Sequence, residues 1–255
     1  MTGTDEQKAM QAANLLLDAR RTGVTLSDLP TELQPQTLEQ VYAVQDLVAA
    51  AYGEIGGWKI GAPTPDATPL YAPMPAAWMA ADGVTLAGEQ WRYRGLEAEI
   101  AFLVGTDLLP RATPYTRDEV LDAMASCHPA IEELESAYTD PPAATKFCMF
   151  ADLQMHGGFI HGPAFAEWRT FDFTQERVVL SVDGAVRVDR VGSNTSGDFF
   201  RLLVYLANEG AARTGGLRAG QWITTGSWTG NTLASAGSAV EVEFAHAGTV
   251  RLRFA

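Results

Sequence analysis

The stretch RGLEAEIAF, residues 94–102, sets two glutamates one residue apart in a segment otherwise ready to be buried. In an extended chain, residues i and i+2 share a face. Leu96, Ala98, Ile100 and Phe102 then line one side. Glu97 and Glu99 line the other, about 6–7 Å apart at the backbone, or twice the strand rise of ~3.3 Å. Two anions that close repel unless something positive lies between them. Either both face water, or they hold a cation.

Other residues carry chemistry of their own. Lys59 sits in GGWKIGA between Trp58 and Ile60. A lysine in an apolar, aromatic strand is costly unless an anion pairs with it. Beside a substrate carboxylate or enolate it stabilises charge, or shuttles a proton if its pKa is lowered. The alternative is an edge lysine that reaches solvent. ITTGSWTG, residues 223–230, reads as a strand entering a turn of small residues. Its hydroxyls and glycine N–H groups suit a carboxylate, with Thr225, Gly226 and Ser227 the candidates; the alternative is a turn that needs only small residues. His128, His161 and His246 belong to no triad and no H-x-x-x-H spacing.

The bulk composition narrows the setting. The chain has 255 residues, enough for one large domain, and 47% hydrophobic residues, ample for a core. Its net charge is −13, from 18 basic and 31 acidic residues. Such a field repels nucleic acid and anionic membrane, and no Lys/Arg run offers a nucleic-acid patch. It also repels small anions, so an acid-binding pocket needs local positive charge. Charged residues are only 19%, which favours some surface buried between subunits. Cys127 and Cys148 form no CxxC pattern, so zinc and redox work are not indicated. The start, MTGTDEQKAMQAANLLL, lacks the basic-then-apolar order of a signal peptide, and no run reaches the ~18 apolar residues of a membrane span. A reducing, cytoplasmic location is the expectation.

The elements that must position these residues are legible in outline. Residues 5–22 read as an amphipathic helix through Ala9, Ala12, Leu15, Leu16 and Ala19. Thr37 opens a T-x-x-Q capping pattern before LEQVYAVQDLVAAAYG, a second helix ending near Gly53. From Gly56 strand-length runs appear: GGWKIGA, GVTLA and EAEIAFLV. Thr116 opens T-x-x-E before VLDAMASC, a further capped helix. PAIEEL is a strand, and FADLQMHGGFIHGPA a Gly-rich loop and strand. RVVLSVDGAVRV, 177–188, is a hairpin turning on Asp183-Gly184. SGDFFRLLVYLANEGAART is a helix capped by Thr195 or Ser196 and stopped at Gly215-Gly216. QWITTGSW, AVEVEFA and TVRLRFA are strands. The chain is α+β: a helical N-terminal segment over residues 1–55 and a β-rich catalytic part over 56–255, together one compact unit.

These stretches, in this order, resemble the fumarylacetoacetate hydrolase superfamily, and within it the 2-keto-4-pentenoate hydratase / 4-oxalocrotonate decarboxylase branch. The matching stretches are GWKIG (57–61), EAEIAFLVGTDLLP (97–110), HPAIEELES (128–136), ADLQMHGGF (151–159) and GLRAGQWITTGSWTG (216–230). The resemblance implies a mixed β-sheet fold like the C-terminal domain of that superfamily, with a small helical N-terminal layer. It implies a divalent metal held by the two carboxylates of E-x-E and one from P-A-I-E: Glu97, Glu99 and Glu132, with Glu133 and Glu135 as neighbours that complicate the third choice. All-oxygen anionic ligands suit Mg²⁺ or Mn²⁺. It also puts Lys59 in the active site, lines the substrate site with the 225–227 turn, and implies a homo-oligomer that can associate with a pathway partner enzyme.

Two departures matter. ADLQMHGGF stands where branch members read closer to A-D-N-A-S-S-G-G, so Asp152, Gln154 and His156 occupy altered surroundings. After GWKIG the chain runs APTPDATPLYAPMPAAWM, whose Tyr71, Met74 and Trp78 are expected to line a pocket for the substrate's far end. The reaction implied is a metal-dependent hydratase (a hydro-lyase) adding water to a 2-hydroxy-2,4-dienoate to give a 4-hydroxy-2-oxo acid. Lys59 stabilises charge, and Asp152, His156 or a water held by Glu132 acts as base. The alternatives are decarboxylation of a 2-oxo dioate such as 4-oxalocrotonate, and a non-catalytic scaffold that binds an oxo acid. Hydrolases of the superfamily usually need a histidine–glutamate pair on an N-terminal lid, and no histidine precedes His128.

Overall fold

A computed structural model describes residues 3–255. The N-terminal layer is α1 (Gly3–Thr22) against α2 (Leu38–Ala50). The Thr37 side chain accepts a hydrogen bond from the Gln40 N–H, as the capping pattern requires. The return half of the box is displaced by one residue, because the Gln40 side chain accepts from Gln36 N–H at 2.8 Å. Ala12, Leu16, Ala19, Val41, Val44 and Val48 form a core of their own with Tyr138, Cys148 and Leu153. The helical layer is thus packed on the segment that follows the third glutamate-bearing stretch.

The remaining strands are β1 (Ile55–Gly61), β2 (Leu70–Pro75), β3 (Met79–Ala81), β4 (Val84–Leu86), β5 (Gly95–Val104), β6 (Met124–Leu134), β7 (His156–His161), β8 (Arg177–Val182), β9 (Ala185–Val191), β10 (Trp222–Thr224), β11 (Thr232–Leu233), β12 (Ala239–Phe244) and β13 (Gly248–Phe254). One mixed sheet runs β2-β1-β10-β5-β6-β7-β3, with β11 on β5; the second runs β4-β13-β12-β8-β9. The first sheet curls until β2 touches β7 and the 153–155 turn. The alternation read from RGLEAEIAF holds. Leu96, Ala98, Ile100 and Phe102 pack with Val178, Leu180, Val240, Val242 and Val250 of the second sheet. The inner, opposite face carries the glutamates together with Met74, Ala101, Ala130 and Phe159.

The helices differ in detail from the sequence reading. Thr116 closes a full capping box with Glu119, but α3 (Arg117–Asp122) is short. Met124 onward is drawn into β6, because residues 124–128 pair with 101–104 of β5. A short α4 (Lys146–Ala151) precedes the Gly-rich stretch. The later helix starts at α5 (Phe200–Tyr205), where Asp198 Oδ1 accepts from Phe200 N–H. Thr195 and Ser196 do not cap it; both hydroxyls donate to the Ala62 carbonyl. It widens into a π segment, Leu206–Gly210, before α6 (Ala211–Thr214) and ends where Gly215 and Gly216 take φ of +76° and +104°. The hairpin turns on Asp183 and Gly184, both with positive φ, as the DG signal requires. Cys127 and Cys148 are buried free thiols. Among the described residues no helix is long and apolar enough to cross a membrane.

Candidate metal centre

Antiparallel pairing of β5 with β6 sets Glu97 directly opposite Glu132 and Glu99 opposite Ala130. One ligand oxygen from each of Glu97, Glu99 and Glu132 lies within 4.8 Å of the others. Glu99 and Glu132 are buried. Burial, then Glu132 and Glu97, push the Glu99 carboxyl well above the usual carboxylate range. Burial and Glu132 raise Glu97 as well, against a hydrogen bond from Ser227. Burial would raise Glu132 too, but Lys59 and His156 outweigh it and leave that carboxyl lowered.

Lys59 reaches this cluster from β1 because the sheet curls. Its Nζ is 2.6 Å from Glu132 Oε1 and donates to the Gln154 carbonyl at 3.0 Å. Burial alone would lower its pKa; Glu132 and Glu97 outweigh burial and raise it. Lys59 is therefore a fixed positive charge, with one ammonium hydrogen left over from these two bonds. His156 Nδ1 is 2.9 Å from the same Glu132 Oε1. A carboxylate acceptor assigns the proton to Nδ1, so Nε2 carries the lone pair. Burial lowers the His156 pKa, which keeps the ring neutral.

The turn after β10 supports Glu99. The Thr224 hydroxyl and the Gly226 N–H (2.9 Å) both donate to Glu99 Oε2. Thr225 is buried and donates to the Ile100 carbonyl at 2.7 Å, while Ser227 Oγ accepts from Gly230 N–H. Thr224 went unremarked in the sequence, although it stands beside Thr225 in the same motif.

Other candidates are placed elsewhere. Asp152 is fully buried and aimed at Arg20: Nε donates to Oδ1 at 2.6 Å, and Ser136 Oγ and Ala137 N–H both donate to Oδ2 at 2.8 Å. Tyr71 pairs with Ile60, so it points to the face opposite Lys59; there it stacks on Tyr42 and accepts from Arg213. Gln154 contributes its backbone carbonyl to Lys59. Met74 stays on the inner face with Phe159. Trp78 lies 5.8 Å from the His156 ring and lines a cavity of about 860 Å³ that Arg20, Arg92, Glu135 and Gly157 also line, and none of the three glutamates. Glu133 and Glu135 alternate onto the far face of β6 from Glu132 or beyond its end. Burial and the neighbouring Glu135 push Glu133 well above the carboxylate range.

The residues fit a divalent cation. Glu132 Oε2 is buried with no hydrogen-bond partner, although its other oxygen takes two. Three carboxylates crowd one point with Lys59 the cation acting on Glu97. A hard cation with oxygen ligands relieves both the repulsion and the orphaned oxygen.

The chain is similar to known proteins in sequence and in fold. The TodF product hydratase of Pseudomonas putida F1 is 26% identical over 260 residues, covering 96% of this chain and 94% of that protein. The 4-oxalocrotonate decarboxylase of Pseudomonas putida G7, complexed with magnesium and adipate, has the same fold: TM-score 0.85 at 22% identity, over 100% of this chain and 99% of that one. A putative fumarylpyruvate hydrolase from Burkholderia cenocepacia aligns more loosely, with TM-score 0.60 at 16% identity over 77% of this chain and 83% of that one. The fumarylacetoacetate hydrolase C-terminal model matches residues 41–255. The α+β chain with its carboxylate-lined inner sheet belongs to the fumarylacetoacetate hydrolase family.

Proposed function

We propose that the protein is a divalent-metal-dependent hydro-lyase that adds water to a 2-hydroxy-2,4-dienoate and yields a 4-hydroxy-2-oxo acid. The observation that carries this reading is the convergence of Glu97, Glu99 and Glu132, with Lys59 clamped to one oxygen of Glu132 and the other oxygen left bare. Mg²⁺ or Mn²⁺ held by these carboxylates supplies positive charge for a substrate's adjacent carboxylate and C2 oxygens.

The chain's own groups do the rest. Lys59 adds charge at the C2 oxygen through its remaining ammonium hydrogen, in a site where burial strengthens the effect. A raised pKa suits that electrostatic role and not that of a base. Asp152 has both oxygens committed, so we assign it to positioning. His156 Nε2 is buried, without a partner, and basic by tautomer. We assign it the role of accepting a proton from the water that adds at C4, with Glu132 holding the ring. The Gly226–Ser227 turn borders the glutamates and forms one wall for the substrate. A 2-oxo dioate needs a second cation for its far carboxylate. Arg20 is already spent on Asp152, while Arg92, which lines the same cavity, donates to the Arg20 and Ser136 carbonyls, so the decarboxylase stays the second reading. A cytoplasmic homo-oligomer, able to associate with a pathway partner, accompanies this reading.

The test is a pair of assays on Mg²⁺-loaded protein. Loss of dienoate absorbance with 2-hydroxypenta-2,4-dienoate supports the hydratase. CO₂ release from 4-oxalocrotonate without dienoate hydration replaces it with the decarboxylase. Neither activity, with oxalate still bound in calorimetry, returns the chain to a scaffold that binds an oxo acid; neither activity and no oxalate binding overturns the site reading as well.

A further inference from the structure

Leu153, Gln154 and Met155 are three consecutive non-glycine residues with positive φ, 52°, 52° and 65°. Left-handed backbone is unfavourable for each, and such runs persist only where the surroundings hold them. This short turn delivers two groups to the cluster: the Gln154 carbonyl onto Lys59 and the His156 ring onto Glu132.

Beside backbone bonds and the Lys59 contact, one side chain from outside the β-rich part holds both ends of the turn. Arg20, near the end of α1, donates Nε to Asp152 Oδ1 at 2.6 Å, Nη1 to the His156 carbonyl at 3.1 Å, and Nη2 to the Glu135 and Asp152 carbonyls at 3.1 and 3.2 Å. Its bonds grip both ends of the turn, residues 152 and 156, and the end of β6. The guanidinium is 8% exposed and lies over the Trp78 ring. Burial alone would disfavour its charge, but Asp152 outweighs burial and holds it on. Arg20 precedes residue 41, where the family match begins. Gly157 fits the same design: a Cβ there would meet Glu133 Oε2 at 2.3 Å and Glu135 Cβ at 2.7 Å, so β7 can approach β6 this closely only with glycine after His156.

We infer that Arg20 is a positioning residue for the metal centre: by clamping residues 152 and 156 it keeps the strained turn in the form that sets Gln154 on Lys59 and His156 on Glu132. The inference rests on the metal reading above, and α1 is then part of the active-site architecture and not only a cover for the helical core. Without Arg20, Asp152 keeps Ser136 and Ala137 on Oδ2 but loses the cation on Oδ1, three carbonyls lose a guanidinium donor, and the turn relaxes toward ordinary backbone.

The experiment compares full-length Arg20→Ala and Arg20→Lys with Leu16→Ala, a buried change in the same helix that shares a core with Leu153 but makes none of the Arg20 hydrogen bonds. Two quantities are read: hydrogen exchange at residues 153–157 in metal-free protein, and Mg²⁺ affinity by calorimetry. Arg20→Ala is expected to speed exchange in that segment and weaken Mg²⁺ binding by about 10- to 100-fold, the usual cost of losing support behind a metal ligand. Added guanidinium ion restores part of both. Arg20→Lys keeps the charge but not the fork, and falls in between. Leu16→Ala lowers thermal stability, speeds exchange at 153–157 less than Arg20→Ala does, and leaves Mg²⁺ affinity unchanged. If Arg20→Ala folds poorly, Arg20→Lys against Leu16→Ala decides alone. Equal exchange and equal Mg²⁺ affinity in the Arg20 and Leu16 variants would overturn the inference. If the wild type binds no Mg²⁺, the metal reading fails, and the exchange comparison still judges the clamp.

Discussion

Glu97 and Glu132 face each other across β5 and β6 in direct register, and Glu132 alone of the three glutamates is clamped by Lys59 and His156. The carboxylates therefore respond differently to neutralisation. In metal-free protein, Glu99→Gln removes a repelled charge and should raise the urea midpoint while abolishing Mg²⁺ binding. Glu132→Gln leaves the buried Lys59 ammonium without its partner and should cost about 3–5 kcal/mol. Matching losses in both variants would contradict the assignment of Lys59 to Glu132.

Proton release on metal binding follows from the same geometry. Glu97 and Glu99 are raised above the ordinary glutamate value of 4.5, so the folded metal-free protein resists their ionisation. Such groups take stability away as pH rises from 4.5 through their folded values. Glu132 is lowered and works in the opposite sense: its contribution is present above 4.5 and lost as pH falls through its folded value. Mg²⁺ affinity should climb with pH while Glu97 and Glu99 deprotonate. Calorimetry in two buffers of different ionisation enthalpy reads the protons directly; none released in that range would rule out these ligands.

Lys59→Met separates charge stabilisation from metal binding. Turnover should fall by about 10²–10³-fold, as for loss of one donor to a developing oxyanion. Mg²⁺ affinity should hold or tighten, since Glu132 no longer shares its charge with Lys59. Loss of metal with turnover in step would make Lys59 structural.

His156→Asn keeps a donor near the Nδ1 position and removes the Nε2 lone pair, whereas His156→Leu removes both. The asparagine variant should bind Mg²⁺ within a few-fold of wild type, with turnover lost by about 10²–10⁴-fold. The leucine variant should lose affinity as well. Normal turnover in the asparagine variant excludes His156 as the base.

Gly226 holds φ of +87° while its N–H donates to Glu99. A Cβ has room there, with its nearest neighbours Gly61 Cα at 3.5 Å and Ile60 O at 3.6 Å. Gly226→Ala therefore acts through backbone strain, about 1–2 kcal/mol, without a clash. Thermal melts should show that loss, and weakened Mg²⁺ binding would follow from a displaced N–H.

The sequence by itself determined the period-two pattern of β5, which fixes Glu97 and Glu99 on one face whatever packs there, because strand alternation is a local property. It likewise determined the DG hairpin and the threonine caps at Thr37 and Thr116. Tertiary structure alone decided which groups those faces meet. Register across β5 and β6 chose Glu132 over its neighbour Glu133, since a shift of one residue reverses the face. Curling of the sheet brought Lys59 to Glu132, and pairing with Ile60 put Tyr71 on the opposite face. Arg20 and Asp152, separated by 132 residues, meet only because α1 packs on the segment after β6. An arginine among helical residues carries no local mark of its partner, and a carboxylate's role depends on which of its oxygens the fold leaves free.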